Sequence, residues 1–166
     1  EKGQCLLTLE DVYAHAEGSI FALPQAHMDQ LGEIKTQLKA PLYLALACRF
    51  DGQDKRRLAT AAACARQYDV SLLAINDVLY HHTARRPLQD VLTCIREKTS
   101  LAEAGFRLQA NTERHIKTPD EMARLFRDYP QAIANTVKIA EACCFSLNEL
   151  KYEYPDEPIP AGATPQ

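Results

Sequence analysis

The sequence predicts an α/β fold, with parallel strands joined by crossover helices and then an α-helical segment. Three observations carry that prediction. Short apolar runs at 18–23, 42–47 and 71–76 have strand length and are separated by stretches with helical spacing. The order strand, helix, strand, helix, strand requires right-handed crossovers and so a parallel sheet. After Asp77 the apolar runs stop, and proline- or cap-opened helical patterns follow.

Taken in order, Gly18-Ser19-Ile20-Phe21-Ala22-Leu23, closed by Pro24, is the first strand. His27 to Leu38 carries Met28, Leu31, Ile34 and Leu38 at helical spacing. Pro41 opens the second strand, Leu42 to Ala47. Lys55 to Tyr68 is a helix whose stripe of Leu58, Ala61, Ala62 and Ala65 suits close packing on a sheet. Ser71 to Asn76 is the third strand. Pro87 opens a helix marked by Leu88, Val91, Leu92 and Ile95, and residues 105–117 are expected to be extended. Thr118-Pro119-Asp120-Glu121 has the form of a capping box and starts a helix with Met122, Leu125 and Phe126 inward. Pro130 opens the last helix, with Ile133, Val137, Ala140 and Cys144 on one face. The expected division is 1–83 for the β/α part, 84–150 for the helical segment and 151–166 for a proline-rich linker. A linker in that position suggests that the chain is a piece of something longer.

Composition excludes several function classes. The 166 residues are 46% apolar and 25% charged, which is ordinary for a globular domain with a real core. No apolar run is long enough to span a bilayer, and the start of the chain has no signal-peptide pattern. A cytoplasmic location is expected. A net charge of −3 gives no long-range attraction to nucleic acid, so any DNA contact needs a local patch. None of the six cysteines forms a Cys-x-x-Cys pair. Cys48, Cys64, Cys94 and Cys144 lie in apolar patterns and read as small core residues; Cys143-Cys144 as a redox pair is the weaker reading.

The chemistry worth testing sits at the end of the third strand. Asp77 follows an apolar run where a buried strand emerges, the place where α/β folds put their sites. Two positions on, where a second ligand would point the same way, stands Leu79. The segment reads as the edge of a metal site that has lost a ligand. Asp77 can equally be a strand-end carboxylate that bonds its own loop. His81 and His82, being adjacent, cannot both aim at one ion from an extended segment. Arg85 and Arg86, with Arg96 further along the helix, form the best basic patch, for phosphate or for a domain contact; solvated surface charge is the plainer reading. Lys35, Lys39, Arg49, Lys55, Arg56 and Arg57 are ambiguous in the same way. The sequence has no phosphate-binding glycine loop and no Ser-His-Asp order.

Several ordered motifs together resemble a known family. Ala74-Ile75-Asn76-Asp77-Val78-Leu79-Tyr80, followed by Leu88-Gln89-Asp90-Val91-Leu92, is similar to the end of the polymerase-and-histidinol-phosphatase (PHP) domain of bacterial DNA polymerase III alpha subunits. Lys117-Thr118-Pro119-Asp120-Glu121-Met122 and Pro130-Gln131-Ala132-Ile133-Ala134-Asn135-Thr136-Val137 resemble the segment that follows it. Ala104-Gly105-Phe106-Arg107-Leu108, Asn111-Thr112-Glu113-Arg114-His115 and the run from Phe145 to Pro155 are similar to the error-prone branch of that family.

The resemblance implies a partial PHP-type β/α barrel followed by helices leading toward a polymerase palm. It implies that the parent protein is a translesion DNA polymerase acting on DNA and deoxynucleoside triphosphates, with Mg in a palm site outside this chain. The sliding clamp and mutagenesis accessory proteins are the expected further partners. In metal-binding relatives the matched loop reads Asp-Val-His and both ends ligate. Asp77 matches the first, and Leu79 stands at the second. Gln25 stands near the place of a ligating Cys and is a poor donor for a transition metal. No match is found for the family's His-x-His pair. The implied site is therefore vestigial, with Asp77 and His81 as its remnants, no metal and no cofactor in the segment, and no catalytic residue of its own. The expected role is packing, through Leu44, Leu58, Leu73, Ile75, Leu92, Ile95, Leu125, Phe126, Val137 and Ile139. An active phosphoesterase or 3′–5′ exonuclease, and an accessory-protein interaction module, are the alternatives. His15, His27 and His115 are expected to have surface or core-edge roles.

Overall fold

A computed structural model describes residues 5–150. The segment 151–166, expected to be a linker, lies outside the described residues.

Three strands, β1 (Phe21–Pro24), β2 (Leu42–Leu46) and β3 (Ser71–Ala74), form a parallel sheet in the order β1-β2-β3. Leu23 pairs with Leu44, and Ala45 with Leu73. The helices are α1 (Leu9–Ala14), α2 (Leu31–Gln37), α3 (Asp54–Gln67), α4 (Arg86–Glu97), α5 (Pro119–Leu125) and α6 (Pro130–Ala142). The predicted α/β class, strand order and C-terminal helices are all present. No helix among the described residues is long and apolar enough to cross a membrane.

The core lies where α2, α3, α5 and α6 meet the sheet. Leu31, Leu44, Leu46 and Phe126 are its largest fully buried side chains. Burying each contributes about 1.5–3 kcal/mol relative to leaving it in water. The small stripe Leu58, Ala61, Ala62 and Ala65 of α3 is buried as its spacing predicts. Leu73 is buried too, while Ile75, Leu125 and Ile139 are half-buried.

α6 closes the outer edge of β3. The Ile75 N–H donates to the Leu46 carbonyl at 2.8 Å, so alternate residues of β3 turn their backbone toward β2. Leu72 turns its carbonyl the other way, and the Asn135 Nδ2 donates to it at 2.8 Å. Asn135 is 3% exposed. A side-chain amide thus satisfies an edge acceptor that would otherwise be buried without a partner.

Several sequence expectations need correcting. The first strand begins at Phe21, not Gly18, because Gly18 has φ +75 and belongs to a turn. The helix expected from His27 to Leu38 starts at Leu31; Gln25–Gln30 form a 3-10 turn kinked at His27. Residues 105–117 are not a strand. They begin with a 3-10 turn at Gly105–Arg107 and touch a ladder only where His115 pairs with Tyr80. Thr118 caps α5 by accepting from the Glu121 N–H at 3.3 Å, and Pro119 holds the first helical position.

Two helix faces are displaced from their predicted orientation. In α6 the buried positions are Ala132 and Asn135, while Val137 is 55% exposed. The polar Asn135 wins the inward place because the sheet edge offers it a carbonyl. In α4 the apolar stripe faces out: Leu92 is 52% and Ile95 69% exposed. Cys144 is exposed beyond α6, Cys48 and Cys64 are half-buried, and Cys94 alone of the predicted core cysteines is buried.

Candidate functional site

The three strands end together, and each leads into one or two polar residues of interest at that end. β1 runs into Gln25, β2 into Cys48 and Arg49, and β3 into Asn76 and Asp77. This is the end where parallel α/β folds place binding and chemistry.

Asp77 adopts a left-handed backbone, φ +49, which turns the chain sharply as it leaves the sheet. Its carboxylate is held by arginines. The Arg114 Nη2 donates to Oδ1 at 2.6 Å, and the Arg114 Nε donates to the Asp77 carbonyl at 2.8 Å. On the other side the Arg49 guanidinium lies 3.8 Å from Oδ2. Two fixed positive charges thus face the one carboxylate that the sequence singled out. Leu79 is half-buried beside it, and its N–H donates to the Arg114 carbonyl at 2.9 Å.

Arg114 is brought there by the loop 109–117, which is stitched to the ends of β2 and β3 and to the start of α4 by side-chain bonds. The Asn111 Nδ2 donates to the Arg49 carbonyl at 2.7 Å, and the Asn76 Nδ2 donates to the His115 carbonyl at 2.9 Å. The Arg86 Nη1 donates to the Asn111 carbonyl at 2.6 Å; its other nitrogens reach the Gln109 carbonyl and the Asp90 carboxylate. Lys117 closes the loop: its side chain is buried, its Nζ donates to the Glu113 carbonyl, and it lies 5.5 Å from the centre of the Phe50 ring.

The other predicted residues do not converge on Asp77. His81 is exposed, and the His82 Nδ1 accepts from the Ala84 N–H at 3.2 Å as a turn cap. His115 bonds the Thr112 carbonyl through Nδ1 at 2.9 Å. Gln25 is buried, with its Nε2 3.4 Å from the Ala47 carbonyl and its Oε1 without a partner. Arg86 is spent on internal bonds, Arg96 pairs with the neighbouring Glu97 on the surface, and Arg85 is exposed. Among the described residues no three His, Cys, Asp or Glu side chains gather closely enough to hold a metal ion.

A second polar cluster lies just after β2. Asp54 accepts from the Arg49 and Phe50 N–H groups at 2.8 and 2.7 Å, and Arg57 bridges Asp51 and Asp54. The Arg57 guanidinium and the Gln53 N–H hold the Asp51 carboxyl below its usual range. Burial pushes the Cys48 thiol up, and the negative charge of Asp54 adds to that, so Cys48 is a poor nucleophile. A cleft of about 490 Å³ opens beside this cluster, bordered by Phe50, Lys55, Arg124 and Tyr129.

Sequence reasoning singled out Asp77 and Leu79 but missed the partners. Arg114 stands 37 positions away inside a polar motif, and Arg49 is one basic residue among six without a distinguishing neighbour in sequence. The run Asn111-Thr112-Glu113-Arg114-His115, polar throughout in a stretch without periodicity, was the available signal of a functional loop.

No family model matches the chain. Curated proteins do. The chain is 49% identical over 173 residues to the error-prone DNA polymerase of Bradyrhizobium diazoefficiens, a match covering all of this chain and 15% of that protein. It is 51% identical over 172 residues to the error-prone DNA polymerase of Bradyrhizobium sp., and 44% identical over 170 residues to that of Caulobacter vibrioides. The chain spans about 15% of the length of the curated relatives it matches. The resemblance to error-prone DNA polymerases read from its motifs therefore holds from one end of the chain to the other, as one segment of those proteins.

Proposed function

We propose that this chain is a supporting segment of an error-prone DNA polymerase, a metal-free remnant of a PHP-type site that positions the polymerase core and performs no chemistry itself. The observation that carries the reading is the pairing of Asp77 with Arg114 and Arg49. A cation bound to Asp77 would have to displace one guanidinium and lie close to the other. Like charges a few ångströms apart repel strongly in a partly buried site. Leu79 offers no donor in exchange, and one carboxylate does not hold a metal against hydration. Arginine supplies permanently the positive charge that an ion supplies in a working site.

In this reading the site became a joint. The Asp77–Arg114 pair and the bonds of Asn76, Asn111 and Arg86 tie the loop 109–117 to the strand ends. Polymerisation on DNA with deoxynucleoside triphosphates, including lesion bypass, belongs to the whole polypeptide. Its Mg ions, its contacts with the sliding clamp and mutagenesis accessory proteins, and its cytoplasmic location are parts of the same proposal.

Metal analysis of the full-length polypeptide, together with primer extension on damaged template, tests it. The expected result is extension activity that survives Asp77→Asn, with no zinc or manganese retained in stoichiometric amount. A tightly held ion that is lost with Asp77→Asn, accompanied by hydrolysis of a 3′-terminal nucleotide, would instead establish a working phosphoesterase.

A further inference from the structure

The cleft beside the cluster after β2 combines an exposed aromatic ring with uncommitted positive charge. Phe50 borders it and is 44% exposed. Its backbone is left-handed, φ +54, a conformation that bulky side chains rarely adopt. The Asp54 carboxylate holds the turn by accepting from the Phe50 N–H at 2.7 Å and from the Arg49 N–H at 2.8 Å. The buried Lys117 ammonium lies 5.5 Å from the ring centre and steadies the ring. Backbone outliers of this kind gather at ligand clamps and active sites. Tyr129, half-buried, borders the same cleft. The volume of about 490 Å³ lies within the usual range for ligand pockets, about 300–1,000 Å³.

The rim is cationic. Lys55, Arg124 and Arg127 border the cleft, and all three are exposed. Among the described residues Lys55 and Arg124 belong to no ion pair. Arg127 lies 3.9 Å from Asp128 in a pair open to water, which holds weakly. Asp54 is already committed to Arg57 and to two backbone N–H groups. In a chain of net charge −3 this rim is the local patch that a nucleic-acid contact requires.

We infer that this cleft binds single-stranded nucleic acid, with an unpaired base stacked on Phe50 or Tyr129 and the adjoining phosphates on Lys55, Arg124 and Arg127. Aromatic side chains flanked by cations hold a single strand without regard to its sequence, because every base has a flat face and every linkage a charge. A duplex keeps its bases inside the stack, out of reach of a ring on a protein surface. An acidic peptide would meet the cations but leave the presented ring of Phe50 without a partner. The inference rests on the proposed reading of the chain as a polymerase segment, which supplies the strand: template must be unpaired before it is copied. It adds a contact with DNA to the supporting role proposed above.

Photocrosslinking of the full-length polypeptide to a single-stranded oligothymidine of about ten nucleotides, substituted with iododeoxyuridine, tests this. Mass spectrometry of the digested protein locates the adducts, and one at Phe50 or Tyr129 is expected. Its yield should fall about tenfold in Lys55→Gln/Arg124→Gln, which removes two phosphate contacts. It should persist in Lys55→Arg/Arg124→Lys, which keeps both charges. It should also survive about a hundredfold excess of thymidine monophosphate, since a strand engages several contacts at once and a mononucleotide few. No adduct at either ring, or a yield that does not separate the two variants, would overturn the inference. Displacement by thymidine monophosphate would overturn it too, by assigning the cleft to a free nucleotide. Primer extension measured on the same preparation separates the two proposals: an active polymerase without the adduct refutes the cleft alone, whereas absence of polymerase activity refutes the reading beneath it.

Discussion

Arg114 grips Asp77 at two points, its Nη2 on the carboxylate and its Nε on the backbone carbonyl, 2.6 and 2.8 Å away. The second contact distinguishes this from a chance surface ion pair. A single planar guanidinium fixes both the side chain and the left-handed turn by which the chain leaves β3. Since each side chain is about a quarter exposed, solvent weakens the charge interaction without removing it.

Removing that grip should loosen the loop 109–117. Arg114→Ala is expected to lower the unfolding free energy by about 1–3 kcal/mol, toward the lower end because of the exposure. Arg114→Lys should recover little, because one ammonium cannot reach both acceptors in the same geometry. Urea denaturation of the three proteins checks this; a lysine variant as stable as the parent would show that charge alone matters.

Restoring a ligand should not restore the site. Leu79→His places an imidazole two residues after Asp77, yet Arg114 and Arg49 still face the carboxylate. No tight zinc binding is expected by isothermal titration calorimetry at neutral pH. Stoichiometric binding by this single variant would mean that the arginines yield readily to a metal.

The edge of β3 should depend on one amide. Asn135→Leu keeps the number and branching of the side-chain heavy atoms but leaves the Leu72 carbonyl buried without a donor. A loss of about 1–3 kcal/mol is expected, the usual penalty for an orphaned buried polar group. The urea midpoint should fall with an unchanged slope; a neutral result would place water at that carbonyl.

Acid should destabilise the cluster after β2. The Asp51 carboxyl is held below its usual value of 3.8 by Arg57 and the Gln53 N–H. The folded protein therefore binds that proton less readily than the unfolded chain. Its stabilising contribution is complete above about pH 4 and is lost as pH falls further, through the folded-state pKa. Asp51→Asn should flatten the decline of the urea midpoint between neutral pH and about pH 3. An unchanged slope would remove Asp51 from the account.

Much of the fold was determined by the sequence alone, because the relevant signals are local. Apolar runs of strand length, proline at helix starts, the Thr118 cap and the small stripe of α3 each act within a few residues of where they are read. The alternation of those elements then imposes a parallel sheet, as found. The identity of Asp77 as the strand-end carboxylate, and of Leu79 as the residue that cannot ligate, was equally plain in the order of residues.

Tertiary structure decided which faces are covered and what neutralises Asp77. Periodicity shows that α4 and α6 have apolar stripes, but a stripe does not say where its partner lies. In α6 the Leu72 carbonyl drew Asn135 inward; in α4 the loop at 109–111 took the polar side and left Leu92 and Ile95 outside. Arg114 meets Asp77 across 37 residues of chain. Ion pairs and edge caps depend on distance in space, and that distance exists only once the strands have paired and the loops have closed over their ends.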